Sequence, residues 1–274
     1  NTAVGQSALE KNTTGSNNVA VGLGALDANT TGGRLVAVGA YALTNYNVTD
    51  TSNNYNIAVG YEASKALTTG TLNTAVGGQS MTAATTTDNV SCFGYRSGYA
   101  ITTGDNNTFI GTYAGYACTA GDGNVTIGKD SGSQSAMINI TTESNRLVLG
   151  HNSITNAYVK TSIAVTSDQR DKTDIADIGS DRGLSFVNQL RPVSFYYNES
   201  RDAPTTKAGP KKYGFLAQEI LALEGSDNVI IDDEFEECLK YQGEALVPVL
   251  VKALQELSAK NDALEARIAA LVGE

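Results

Sequence analysis

Tryptophan is absent from the 274 residues; methionine occurs twice, proline four times and phenylalanine six times. The hydrophobic fraction of 41% leans on alanine and valine, so side-chain volume for a conventional globular core is short. Little proline beside 28 glycines points away from disorder and towards many tight turns in a regular stack. A lone histidine, His151, removes His-based triads and most metal centres. Cys92, Cys118 and Cys238 are odd in number and form no CxxC, so neither a disulfide framework nor a zinc site is implied, and no metal or cofactor is expected. No apolar run approaches the ~20 residues of a membrane span. The net charge of −10 argues against a nucleic-acid footprint and against attraction to an anionic membrane. No signal peptide is expected within these residues, and the chain opens within a repeat, as a piece of a longer polypeptide would.

What is present is periodicity. Nine glycines, Gly5, Gly22, Gly39, Gly60, Gly77, Gly94, Gly111, Gly128 and Gly150, recur with a basic spacing of 17. A large apolar residue precedes each: Val4, Val21, Val38, Val59, Val76, Phe93, Ile110, Ile127 and Leu149. Three residues on stands a small one: Ala8, Ala25, Ala42, Ala63, Ser80, Ser97, Ala114, Ser131 and Ser153. Each unit reads as a short strand, a glycine corner, a second short segment and a polar turn such as Asn12–Gly15. Glycine supplies the positive φ of the corner. Strand residues alternate in side, so Val19 and Val21 face one way and Ala20 the other. One unit cannot bury its own apolar face, whereas stacked units form a continuous ladder. Small residues on both sides suggest two buried contacts, the inside of the coil and a neighbouring chain. Longer gaps after Gly39 and Gly128 predict loops, the first around Tyr46 to Tyr55. Any binding is expected on exposed Tyr, Asn and Thr, such as Tyr46, Tyr55, Tyr95 and Tyr113. No acidic repeat for calcium and no outstanding carboxylate pair for glycoside hydrolysis is found.

The motif Asn18-Val19-Ala20-Val21-Gly22 resembles the left-handed β-roll head of trimeric autotransporter adhesins. The resemblance covers about the first 150 residues and implies a trimeric shaft or head; the period of 17 is longer than is usual there.

Charge density roughly doubles after residue 150, from 6 basic and 9 acidic residues to 13 and 20 in the remainder. Tyr158 to Thr166 reads as a strand or extended linker. Leu184 to Leu190 suits a short helix, Val193 to Tyr197 a strand, 198–212 a polar loop, and Val229 to Ile231 another strand. Tyr213 to Ile220 starts extended and turns helical. Four pieces in order resemble the intramolecular chaperone domain of phage endosialidases and tail fibres. They are Ser167-Asp168-x-Arg170-x-Lys172 with Asp174-Ile175, then Leu190-Arg191-Pro192-Val193-x-Phe195, then Gly214-Phe215-x-Ala217-Gln218-Glu219, then Val247 to Leu257 ahead of a coiled coil. The resemblance implies a domain that trimerises, templates the fibre ahead of it and is released by self-cleavage beside the serine. It implies Ser167 as nucleophile and Lys172 as base, with Thr166, Ser167 and Asp168 flanking the cut. The residues themselves allow this: a serine needs a base, and with no histidine in this part lysine is the remaining candidate. Leu250, Leu254, Leu257, Asn261, Leu264, Ile268 and Leu271 then alternate by four and three, the seam of a coiled coil, with Asn261 placed to fix register. An amphipathic helix packed on its own domain is the alternative.

The expected fold is a mainly β repeat, a trimeric β-roll or β-helix shaft, followed by a smaller α+β chaperone domain ending in a trimeric coiled coil. The expected boundaries are 1–154, 155–166, 167–249 and 250–274. The expected function is the distal part of a homotrimeric phage tail fibre or tailspike in the virion. It attaches to a host cell-surface receptor, a glycan, and its chaperone domain is released in the host cytoplasm. Alternatives are a bacterial trimeric surface adhesin and a glycan-degrading tailspike enzyme. Enzymatic activity of the chaperone itself is at most one turnover of a self-cleaving serine endopeptidase.

Overall fold

The computed structural model describes residues 1–49, 54–133, 138–151, 154, 157–158, 160, 167–200, 203–234 and 239–273, with the backbone alone at 199–200, 203–205 and 208. The chain divides into two compact units, Asn1–Ile154 and Thr155–Glu274.

The first unit is a β-solenoid. Each coil contributes one three-residue strand, from β1 (Thr2–Val4) through β2 (Val19–Val21), β3 (Val36–Val38), β4 (Ile57–Val59), β5 (Thr74–Val76), β6 (Ser91–Phe93), β7 (Thr108–Ile110) and β8 (Val125–Ile127) to β9 (Leu147–Leu149). They form one parallel sheet in sequence order, each residue paired with its equivalent in the next coil. Backbone bonds between coils continue outside the sheet: Leu26 N–H donates to Ala42 O at 3.1 Å and Met81 N–H to Ser97 O at 3.0 Å. The corner glycines are needed twice over. Gly77 sits at φ +136°, and a Cβ there would stand 2.3 Å from Gly94 O.

From β2 onward the middle residue of each strand points inward. Ala20, Ala37, Ala58, Ala75, Cys92 and Phe109 are fully buried, while their neighbours are partly or fully exposed. Six residues beyond lies a corner residue in the left-handed region, and the two share one interior space. Ala20, Ala37 and Ala75 stand with Leu26, Leu43 and Met81. In the fourth coil both are small, Ala58 and Ser64. Where the strand residue grows to Cys92, Phe109 and Thr126, the corner shrinks to Gly98, Gly115 and Gly132. Leu26 at φ 53° costs about 1–2 kcal/mol of backbone strain. Burying its side chain returns about 1.5–3 kcal/mol, which offsets it.

Just ahead of the strands runs a buried asparagine ladder. Asn18 Oδ1 accepts from Leu35 N–H at 2.9 Å and its amide donates to Gly32 O at 2.8 Å. Asn56, Asn73, Asn107 and Asn124 repeat the bond to the next coil. The small residues after each corner glycine are also inward, and Ser97 Oγ donates to Phe109 O at 2.7 Å; Ser153 lies outside the described residues.

Tyr46 is a correction. It is not an exposed loop residue but fully buried, because it occupies the interior column that Leu67, Ala84, Ile101 and Cys118 occupy in later coils. The loop expected around Tyr46 to Tyr55 falls partly on 50–53, outside the described residues; Tyr55 itself is exposed.

The second unit packs a short helix α1 (Leu184–Val187), a helix α2 (Ala217–Glu224) and a long helix α3 (Gly243–Val272) around Phe186, Ile220, Ile230, Ile231, Leu246 and Val249. Strand β12 (Ile231–Asp232) pairs antiparallel with β13 (Lys240–Tyr241). The expected polar loop 198–212 is instead most of a hairpin, β10 (Val193–Ser200) with β11 (Ala203–Gly214), Val193 opposite Gly214, with register shifts between Phe195 and Tyr197 and between Asn198 and Ser200. A two-stranded ribbon has open edges, where proline such as Pro204 and Pro210 need not break a ladder bond.

Candidate functional site: the Ser167 turn and the motifs around it

Ser167 and Lys172 stand at either end of one tight turn. Gln169–Asp171 forms a single 3-10 turn, N-capped by Asp168, whose carboxylate accepts from Arg170 N–H at 2.9 Å. The Arg170 guanidinium also grips that carboxylate, Nε to Oδ1 at 3.0 Å. This contact holds the Asp168 carboxyl below its usual range and raises Arg170 further. The turn carries Lys172 back, and its Nζ donates to Ser167 Oγ at 2.7 Å. Both side chains are exposed in the isolated chain. A lysine that accepts a serine proton must be neutral, which calls for burial that this turn alone does not provide. Asp174 lies just beyond in the left-handed region, φ 53°. Thr166 lies outside the described residues.

Two other motifs meet each other. Arg191, ahead of β10, donates to Glu219 on α2 through Nε at 3.1 Å and also through Nη2. Glu219 is held below its usual carboxylate range by that guanidinium. Pro192 lies between Arg191 and the first residue of β10. Gly214 closes β11, where a Cβ would stand 3.2 Å from the Phe195 ring. Phe215 packs against the core of this unit, and Gln218 is exposed. Among the described residues, neither Ser167 nor Lys172 hydrogen-bonds to Arg191 or Glu219.

Helix α3 has two apolar faces. Leu246, Val249 and Ala253 are buried against their own domain. The seam residues Leu250, Leu254, Leu257, Leu264, Ile268 and Leu271 are exposed, Leu254 by 66% and Leu271 by 75%. Asn261 is exposed on that seam and donates to Glu265 at 2.8 Å. The helix is one piece from Gly243, so it begins ahead of the seam and anchors it to the domain.

Three residues escaped the sequence reading. Glu224 is buried at the end of α2 and accepts from Val229, Ile230 and Ile231 N–H at 2.9, 2.8 and 3.0 Å. Arg182 donates to Glu224 O and Asp227 O at 2.9 and 2.8 Å, covering the helix end. Glu256 of α3 accepts from Leu184 N–H at 2.8 Å, a side-chain cap on α1. Leu246, Val249, Ala253 and Glu256 follow three- and four-residue spacing, which marks a second stripe on the helix; nothing in the local sequence singles out Glu224 or Arg182.

Comparison with known proteins fits this geometry. Residues 167–229 match the Peptidase_S74 family, described as the chaperone of endosialidase. The match begins at Ser167 and takes in the Ser167–Lys172 turn and the Arg191–Glu219 pair. The chain is also similar to a probable tail fiber protein of Escherichia phage Phieco32, 28% identical over 140 residues, which is 47% of this chain and 17% of that protein. Together they support a phage tail-fibre sequence with a C-terminal chaperone. The chain spans only about a sixth of that relative's length. No described helix is long and apolar enough to cross a membrane.

Proposed function

We propose that this chain is the distal part of a homotrimeric phage tail fibre or tailspike, carried in the virion for attachment to a host-surface glycan. In this reading its C-terminal unit is an intramolecular chaperone that trimerises, sets the register of the repeats and cuts the chain beside Ser167. The observation that carries it is a coincidence at one residue: the chaperone match starts at Ser167, and Ser167 is where an amine contacts a hydroxyl.

The physical problem is alignment. Near-identical coils can pair one unit out of step at little energetic cost. A separately folding three-chain clamp removes that freedom, and joining two chains raises the effective concentration of the third. Two surfaces support association of three copies. One is the exposed seam of α3. The other is the outer face of the solenoid sheet, where Phe93, Ile110, Ile127, Leu147 and Leu149 form an apolar ridge rare on a monomer.

Assembly would shut the Ser167–Lys172 turn away from water, so that the amine takes the Ser167 proton only in a complete trimer. Oγ then attacks a flanking carbonyl, at Thr166–Ser167 or Ser167–Asp168; the peptide C–N bond breaks as Lys172 returns the proton to the departing amine, and water hydrolyses the ester left behind to free the two fragments. The chaperone would leave in the host cytoplasm. The test is the mass and oligomeric state of the whole chain, native and denatured, for wild type and Ser167→Ala. The reading expects two fragments from wild type, one full-length band from the variant and a trimer from both. A monomeric wild type would overturn the clamp, and equal bands would overturn the cutting.

A further inference from the structure

One side of the solenoid carries a concentration of aromatic and charged side chains that neither the stack nor the chaperone accounts for. It comprises the residues one, two and five beyond the corner glycines of the third to seventh coils. Tyr41 and Tyr61 meet edge to face at 6.5 Å, and Tyr95 and Tyr113 at 5.6 Å, while Tyr99 stacks flat on Tyr116 at 5.1 Å. Tyr61 and Tyr95 remain 53% and 44% exposed. Between them runs a polar chain. Lys65 Nζ donates to Glu62 at 2.7 Å, Gln79 Nε2 to Glu62 at 3.0 Å, and Arg96 Nε to Gln79 at 2.7 Å. Arg96 also lies 5.2 Å from the centroids of both Tyr95 and Tyr99. Glu62, Gln79 and Arg96 are therefore each held by a neighbour one coil away, and Lys65 by Glu62 of its own coil.

The strip is broken at one rung. Between Tyr61 and Tyr95 the equivalent position is Gly78. This glycine is not required by its backbone, which lies outside the left-handed region, nor by crowding. A Cβ there would meet only the Tyr95 ring, at 3.5 Å, an ordinary contact. Other coils place Leu23, Ala40, Thr112 and Lys129 at the same position without difficulty. A ladder serving only to stack would have no reason to stop at Gly78. The result is a gap between two rings carried two strand spacings apart, roughly 9–10 Å between their backbones, with the edge of the Tyr95 ring reaching over Gly78. Tyr61 and Tyr95 bound it, and Gly78 and Gln79 form its floor.

We propose that this gap is a glycan-binding site in which a pyranose ring packs against Tyr61 and Tyr95 over Gly78, with its hydroxyls on Gln79, Glu62 and Arg96. A sugar ring has apolar C–H faces and polar edges. Aromatic rings with hydrogen-bonding groups fixed between them match both. A peptide partner would be better served by a continuous apolar groove, which the break at Gly78 and the polar chain deny it. The inference rests on the attachment reading and assigns it a place.

The test uses the whole 274-residue chain against immobilised bacterial O-antigen and capsular polysaccharides, with the same host envelopes, protease-treated or periodate-oxidised, as a second arm. Wild type is expected to bind polysaccharide and protease-treated envelope, and to lose the envelope after oxidation. Tyr61→Ala and Tyr95→Ala should each weaken binding about tenfold or more. Gly78→Leu, which fills the gap with a residue the second coil already carries at this position, should do the same with an unchanged melting temperature. Tyr158→Ala, exposed and outside the strip, should bind as wild type. If wild type binds glycan and the three strip variants bind equally well, the site is overturned while attachment stands. If wild type binds only protease-sensitive material, or nothing, the glycan assignment itself is overturned.

Discussion

Phe109 and Gly115 occupy one space: a Cβ on Gly115 would lie 2.6 Å from the Phe109 ring. The third coil solves the same volume in reverse, with Ala37 in the strand and Leu43 at the corner. The two positions are therefore coupled. Phe109→Ala should cost about 3–5 kcal/mol as a cavity, and Gly115→Leu should also destabilise, by overlap. Made together they should recover part of the loss, a non-additivity that a denaturation cycle measures. Strictly additive losses would show that the two residues do not share the space.

Cutting should depend on Lys172 separately from assembly. Lys172→Met is expected to leave a full-length chain on a denaturing gel while the native mass matches Ser167→Ala. Lys172→Arg should behave alike, because a guanidinium does not give up its proton in a protein.

The two faces of α3 should fail in different ways. Leu264→Asp with Ile268→Asp changes the exposed seam and should lower the native mass by light scattering, leaving the helical signal of the domain largely intact. Leu246→Asp places a charge in the buried core of the second unit and should unfold it.

Alkali should loosen the solenoid through Cys118. Burial pushes this thiol up to about 11 from an ordinary 9.0. The thiol form is favoured in the fold, so its contribution is complete below pH 9. It is lost as the pH rises towards 11, because the unfolded chain ionises first. The loss is at most about 2–3 kcal/mol. Melting temperature between pH 8.5 and 10.5 should fall less in Cys118→Ala than in wild type. Equal falls would place the alkaline sensitivity elsewhere.

Glu224→Ala should strip three backbone N–H groups of their shared acceptor, at about 3 kcal/mol or more. Hydrogen exchange at Val229, Ile230 and Ile231 should accelerate before that of the solenoid strands.

The period of 17, the glycine corners and the placement of the strands were legible because each is set by residues adjacent in the chain. The facing of Tyr46 was not. Its interior column begins with Asn12 and Asn29, whose polarity conceals that the position is inward. The hairpin from Val193 to Gly214 looked like a loop, since Pro204, Pro210 and three lysines carry loop signals that an open-edged ribbon tolerates. Arg191 and Glu219 stood out as separate motifs, but a bond across 28 positions follows only from the packing of β10 and α2. Glu224 had no local signature at all, because its partners are amides, which every residue carries.

The register of the solenoid sheet gives the fibre a unit of length. Because every strand pairs with the equivalent triplet of the next coil, gain or loss of one 17-residue module lengthens or shortens the shaft by a single strand spacing, about 4.7–4.9 Å. Glycine corners and asparagine bonds are restored at the splice. Length can thus change in discrete steps by duplication or deletion, with the backbone bonds between coils preserved on either side of the splice.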